Sequence, residues 1–120
     1  MPSFGPSGAI YGDVVSLAPS AVRSGTSNTG TGFIVAGYTT MRLLLDVTAA
    51  VAPTSLNVTI ETSADGTTWY SAGTFAAKTS APSSERKSFG ALDRLVRVAW
   101  VIVGTSFTFS VAGEALGLTG

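Results

Sequence analysis

Apolar and polar residues alternate along much of this chain with a period of two, which is typical of β-strands. The clearest case is Leu56–Glu61, where Leu, Val and Ile alternate with Asn, Thr and Glu. Asp65-Gly66 follows as a turn signal, because Gly accepts positive φ and Asp can bond to its own backbone. We predict a return strand over Thr67–Ser71, anchored by Trp69, and expect the sheet to be organised around this hairpin, Leu56–Phe75.

Further strands are predicted on both sides of the hairpin. Met41–Val47 alternates in the same way. Ser88–Val103 is largely apolar on both faces, which predicts a strand that is central or lies against a partner, with Trp100 in the core. A turn at Gly104-Thr105 then leads into a closing strand over Phe107–Ala112. Two shorter strands complete the set, Ile10–Leu17, which Pro19 stops or kinks, and Phe33–Ala36.

The order of these segments predicts the fold class. Ser24–Gly32 and Lys78–Lys87 are polar or rich in small residues and are predicted loops, and no segment has a capped helical period. Short strands separated by turns predict an all-β, antiparallel β-sandwich of jelly-roll type. At 120 residues the chain holds one such domain, assigned to residues 9–120, preceded by a flexible N-terminal arm, residues 1–8, rich in Pro and Gly.

Composition limits the possible partners. Seven basic residues balance seven acidic ones, so electrostatic attraction to nucleic acid is not expected. No apolar run approaches the roughly 20 residues of a membrane-spanning helix. Mean hydropathy is nevertheless high, at +0.40. Either a second subunit covers apolar surface, or Ala, Gly and Thr replace charge on an ordinary surface.

Candidate catalytic chemistry is sparse. The chain contains no Cys and no His, which excludes the usual zinc sites, thiol nucleophiles and Ser-His triads. Asp46 and Glu61 lie on predicted solvent-facing strand positions, and Asp65 stands alone beside Gly66, as expected of a turn former. We therefore predict a protein without enzymatic activity, metal or cofactor.

Two sets of residues are candidates for binding a partner. Phe4, the bulky apolar residue of the arm, is a candidate for docking on a neighbouring subunit. Asp93, Arg94 and Arg97 are predicted either to anchor an intersubunit contact, since Arg is enriched in interfaces, or to act as edge charges that deter aggregation.

Aromatic residues near the hairpin suggest a different function. Trp69 and Tyr70, with Tyr38, would form a stacking platform for a sugar if their rings were exposed. A Trp that follows a hairpin turn is more often a lid on the core, which is the interpretation we favour for Trp69. A carbohydrate-binding module is therefore an alternative function.

The runs TIETSADGTTWYSAGTF and SFGALDRLVRVAWVIVGTSFTFSVAGEA resemble small β-rich virion proteins of tailed bacteriophages and related prophages. The shared features are the turn S-x-D-G-T-T-W and the strand F-G-x-L-D-R-x-V-R-x-x-W, and the likeness covers roughly Thr39–Ala115. It implies a head decoration, or cement, protein that binds the major capsid protein and copies of itself, commonly as a trimer. A tail or head-tail joining component is the other role that it implies.

The same resemblance implies where the protein is found. The first residues, MPSFGPSG, lack the basic and apolar regions of a signal peptide. We expect assembly in the host bacterial cytoplasm and a final location in the virion. The resemblance brings no catalytic motif to this sequence.

Overall fold

The residues that the computed structural model describes, 14–30, 32–35 and 38–118, form β-strands, turns and loops without a helix. They build one antiparallel sheet of seven strands. The strands are β1 (Val14–Arg23), β2 (Thr26–Asn28), β3 (Phe33–Ile34), β4 (Tyr38–Ser63), β5 (Tyr70–Thr74), β6 (Ser83–Phe89) and β7 (Leu95–Leu118). The all-β, antiparallel prediction is confirmed, and the predicted arm lies outside the described residues.

Strands β4 and β7 form the centre of the sheet. They pair along their whole lengths, from Tyr38 opposite Leu118 to Ser63 opposite Leu95. Strands β1, β2 and β3 lie on β7, while β5 and β6 lie on β4. The predicted β4–β5 hairpin exists, but the prediction that it organises the sheet is wrong, because β5 is a short outer strand.

The alternation of apolar residues places the core on one face of β4 and β7. Side chains at every second position of both predicted segments of β4 are fully buried. Trp100 is 8% exposed on the same face of β7, which confirms its predicted place in the core. The buried residues of β4 are Met41, Leu43, Leu45, Val47, Leu56, Val58 and Ile60.

A corner formed by Ala52, Pro53 and Gly104 bends both central strands. Ala52 has a φ of 43° and Gly104 a φ of 107°, and Pro53 lies opposite Gly104 in the register. A Cβ atom at Gly104 would lie 2.5 Å from the carbonyl oxygen of Ala52, so only glycine fits there. The chain does change direction at the predicted turn, Gly104-Thr105, but β7 continues through it, so Phe107–Ala112 is not a separate closing strand.

The bend brings the two halves of β7 together. Trp100 and Phe109 are nine positions apart, which in a straight strand means about 30 Å. Their ring centroids are 5.7 Å apart in an edge-to-face contact. The apolar faces on both sides of the corner therefore pack into one core.

Arg23 joins the end of β1 to this core. The register of β1 shifts between Ala18 and Ala21, around Pro19, which has no N–H for the ladder. Near this interruption Arg23 donates hydrogen bonds of 2.6 Å to the carbonyl oxygens of Pro19 and Phe109. Its guanidinium carbon lies 4.6 Å from the ring centroid of Phe109 and 5.1 Å from that of Trp100.

Several predicted boundaries are wrong where pairing, rather than apolarity, forms a strand. The predicted loop Lys78–Lys87 contains most of β6, whose polar residues pair with Met41–Val47. Lys78 Nζ and Glu85 Oε1, 2.7 Å apart, form an ion pair across this segment. The predicted strand Ser88–Val103 is divided, because residues 88–89 end β6 and β7 begins at Leu95. Likewise β2 lies inside the predicted loop Ser24–Gly32, and the return strand β5 begins at Tyr70 rather than Thr67.

Candidate functional site

The outer face of the sheet, opposite the core, carries a groove across β2, β7 and β4. The groove has a volume of about 300 Å³. Ala99 lies at the centre, opposite both Asn28 and Thr59 in the register. Because its side chain is shorter than those on either side, it leaves a depression. We call it the polar groove, and the residues that define it are Thr26, Asn28, Asn57, Thr59, Glu61, Arg97, Ala99 and Val101.

One end of the polar groove is formed by a stack of charged and aromatic groups. Arg97 and Glu61 lie opposite each other, and Arg97 Nε donates to Glu61 Oε1 at 2.7 Å. The guanidinium carbon of Arg97 lies 4.2 Å from the ring centroid of Trp69, a cation–π contact. Arg97 Nη1 also donates to the carbonyl oxygen of Gly30 at 3.4 Å. The charge of Arg97 is thus compensated and its position fixed from several sides.

Glycine at position 32 makes room for this stack. Gly32 has a φ of 80°, and a Cβ atom there would lie 2.9 Å from Cη2 of Trp69 and 2.7 Å from the carbonyl oxygen of Val96. The chain between β2 and β3 can therefore pass close to the indole only without a side chain at this position.

Trp69 is not a lid on the core, so the interpretation favoured from sequence is wrong. Its side chain is half-buried and outside the core cluster, on the outer face with Arg97. Tyr70, 63% exposed, pairs with Thr62, whose side chain is on the core-facing side. Trp69 and Tyr70 therefore point to opposite faces and do not form one platform. The side chain of Tyr38 lies outside the described residues.

The turn before Trp69 is held by Asp65, as the sequence predicts. Asp65 Oδ1 accepts hydrogen bonds from the backbone N–H groups of Thr67 at 2.8 Å and Thr68 at 3.0 Å, and from the hydroxyl of Ser63. The hydrogen bonds from the N–H groups of Thr68 and Thr67 lower the pKa of the Asp65 carboxyl. Asp65 is thus a turn former that also orients the approach to Trp69.

The predicted partner-binding residues do not form one cluster. Arg97 is held within the polar groove, whereas Asp93 and Arg94 lie in the exposed connection between β6 and β7. Arg94 Nε donates to the carbonyl oxygen of Ala64 at 3.2 Å. The carboxylate of Asp93 has no hydrogen bond or ion pair to another described residue. Phe4 lies outside the described residues.

A second groove crosses β6, β4 and β7 on the other side of the corner. Its volume is about 370 Å³, and the side chains of Arg42, Leu44, Arg86, Ala112 and Glu114 line it. Arg42 and Arg86 are exposed, and in the described part of the chain neither forms an ion pair. We call this the arginine groove.

Exposed valines lie near the corner. Val51 is 58% exposed, Val103 50% and Val101 45%, all on the outer face. Val103 and Val101 follow each other on one face of β7, and Val51 lies on β4 just before the bend. We call these residues the valine surface.

Some functional possibilities can be checked directly on the described ranges. Within them, no three His, Cys, Asp or Glu side chains are grouped so that they could hold a metal ion. Nor does any described segment form a helix that could cross a bilayer.

The polar groove was not predicted as a site. Asn28, Asn57 and Thr59 appear in the sequence only as the solvent-facing positions of strands, a pattern shared by every half-exposed sheet. The depression forms because a small residue has polar neighbours on the adjacent strands, and the sequence does not show which residues of distant strands become neighbours.

No protein-family model and no curated protein sequence matches this chain.

Proposed function

We propose that this protein is a non-enzymatic structural component of a bacteriophage virion, a decoration protein that binds the capsid lattice as a trimer. The proposal rests first on the resemblance to small phage virion proteins. Its partners are copies of itself and the major capsid protein, and it is assembled in the host cytoplasm and ends in the virion.

The positions that carry the resemblance have structural roles that a shared fold would require. Asp65 holds the turn before Trp69, which stacks on Arg97, and Leu92 and Trp100 are buried. Asp93 is the exception, with an exposed carboxylate that is free of other described residues. This supports Asp93 as a partner contact within the predicted set.

The proposal includes a finer description of the fold. The corner at Gly104 and the contact between Trp100 and Phe109 are what a β-sandwich needs, because they turn two parts of the sheet toward one core. We propose a jelly-roll-like sandwich on this basis.

The valine surface is the observation that carries the proposed oligomer. Val51, Val101 and Val103 leave much of their side chains in solvent on a chain in which only 12% of residues are charged. Removing apolar surface from water contributes about 25 cal/mol per Å², so contact between copies at these residues stabilises an assembly. Attachment at many lattice points then lets individually weak contacts add up.

Light scattering on the full chain tests the oligomer. We expect a mass of three chains of 12.1 kDa. The double variant Val51→Lys, Val103→Lys is expected to be monomeric, because each lysine would bury a charge at the contact. Thr67→Lys, Thr79→Lys, which adds the same charge at exposed loop positions, is the matched control and is expected to remain trimeric.

The result can also contradict the proposal. A wild-type chain that stays monomeric at all concentrations, or a valine variant with unchanged mass, would remove the support for association at this surface. Truncation of residues 1–8 tests the predicted contact of Phe4, which should weaken the trimer. Co-sedimentation with the heads of the phage or prophage that encodes the chain tests the location, and binding to tails instead would favour the tail component.

A further inference from the structure

We infer that the polar groove is a binding site for a neutral glycan. This inference does not rest on the virion proposal, because it concerns a different class of ligand, although Val101 belongs both to the valine surface and to the lining of the groove.

The floor and walls of the groove have the mixed character that a sugar ring requires. Ala99 and Val101 are the apolar residues of the floor, where the C–H groups of a pyranose can lie. The polar side chains stand on the flanking strands, because Asn57 and Thr26 are both opposite Val101. The result is an apolar strip between two rows of hydrogen-bonding groups.

The polar groups retain hydrogen-bonding capacity for a ligand. Asn28 Oδ1 accepts from the N–H of Gly30 at 2.8 Å, which leaves its amide nitrogen free to donate. Within the described part of the chain, the side-chain amide of Asn57 is not hydrogen-bonded to another residue. The hydroxyl of Thr59 shares one hydrogen bond with that of Thr74, at 3.1 Å, and keeps the rest of its capacity for a ligand. A groove that offers both donors and acceptors suits a ligand rich in hydroxyl groups, because each hydroxyl can donate and accept a hydrogen bond.

The charges in the groove indicate a neutral ligand. Glu61 and Arg97 are the charged residues that line it, and they neutralise each other at 2.7 Å. An anionic or cationic ligand would have to break this pair, which is partly shielded from solvent by the Trp69 stack. A neutral sugar can accept hydrogen bonds from Arg97 and donate to Glu61 while the pair stays intact.

Size and position further restrict the ligand. A volume of about 300 Å³ is at the lower end for small-molecule sites, which suits a short stretch of a glycan chain. The groove lies on the face of the sheet, where backbone groups are already paired in the ladder. An extended peptide, which binds through backbone hydrogen bonds at a sheet edge, is therefore disfavoured.

A glycan array with the labelled full chain, followed by calorimetric titration of the strongest neutral hit, tests the inference. Ala99→Leu fills the groove without removing a core contact, and we expect it to abolish binding. Asn57→Ala removes one amide, and we expect binding about tenfold weaker, as for one lost hydrogen bond. Ala112→Leu makes the same substitution in the arginine groove and is expected to bind like the wild type.

Trp69 provides a second measurement. Ligand in the groove should change tryptophan emission in a wild-type titration, and the change should be smaller in Trp69→Phe, where only Trp100, which is 8% exposed at the groove, still emits. An array without a neutral hit would overturn the inference. So would binding that survives both groove variants, or that is lost equally in Ala112→Leu. The trimer variants change Val51 and Val103 and the glycan variants change Ala99 and Asn57, so measuring both mass and glycan binding on each variant lets either proposal fail alone.

Discussion

Replacing Arg23 by Met tests the role of a partly buried cation in closing the core. Arg23→Met keeps most of the side-chain stem but removes the hydrogen bonds to the carbonyl oxygens of Pro19 and Phe109, both 2.6 Å. It also removes the cation–π contacts with Phe109 and Trp100. Burial lowers the pKa of the Arg23 guanidinium, but Arg remains protonated at any pH at which the protein would be studied.

The magnitude follows from these contacts. A hydrogen bond from a charged group contributes about 1.5–3 kcal/mol, and a cation–π contact about 0.5–2 kcal/mol. The bond to Pro19 is exposed and local, so its contribution is at the low end. The removed cation also no longer has to be desolvated. We therefore expect Arg23→Met to lower the free energy of unfolding by about 2–4 kcal/mol.

Urea unfolding, monitored by circular dichroism, measures this loss. Arg23→Lys keeps the charge, but one amine cannot reach both carbonyl oxygens as the guanidinium does, so we expect about half of the loss. Arg86→Met is the control, because Arg86 is exposed and unpaired among the described residues, and we expect a change below about 0.5 kcal/mol. Equal stabilities of the Arg23→Met and Arg86→Met variants would refute the reasoning.

The remaining predictions concern the corner, the core and acid stability. Gly104→Ala should lower the free energy of unfolding by at least about 2 kcal/mol, because the new Cβ would lie 2.5 Å from the carbonyl oxygen of Ala52 and the residue would keep a φ of 107°. An unchanged melting temperature would contradict this. Trp100→Ala should cost about 3–5 kcal/mol in urea unfolding, and Trp100→Phe much less, since the buried indole N–H has no partner among the described residues. Burial would raise the pKa of the Glu85 carboxyl, but hydrogen bonds from Lys78 and the N–H of Ala76, with the charges of Lys78 and Lys87, hold it below its usual value. The stability that Glu85 contributes is therefore complete above the unfolded pKa of about 4.3 and is lost as pH falls through the lower folded pKa. In Glu85→Gln, the free energy of unfolding should therefore decline less steeply as the pH is lowered than it does in the wild type.

The strands that the sequence predicts well are those with buried, alternating residues. Met41–Val47 and Leu56–Glu61 were recognised because apolar side chains point to one face. The sequence does not show that the two segments belong to one strand, because Pro53 lies between them and a proline usually ends a strand. Strand β6 was missed because its residues are polar and its order comes from pairing with β4.

The candidate site shows the same limit more strongly. Trp69 was expected in the core, and nothing in its local sequence identifies Arg97, 28 positions later, as its stacking partner. The depression over Ala99 likewise depends on which residues β2 and β4 place beside it. Such properties arise from pairing between distant segments, whereas the turn at Asp65 is local and was predicted.

The full-length pairing of β4 and β7 has a consequence for how the chain folds. The partners nearest in sequence, Ser63 and Leu95, are 32 positions apart, and those at the other end, Tyr38 and Leu118, are 80 apart. Closing the shorter loop costs less conformational entropy, so the ladder should nucleate near Ser63 and extend through the corner toward Tyr38. Because every rung joins distant residues, folding should take milliseconds to seconds rather than microseconds, and the two long strands stay unpaired for much of that time.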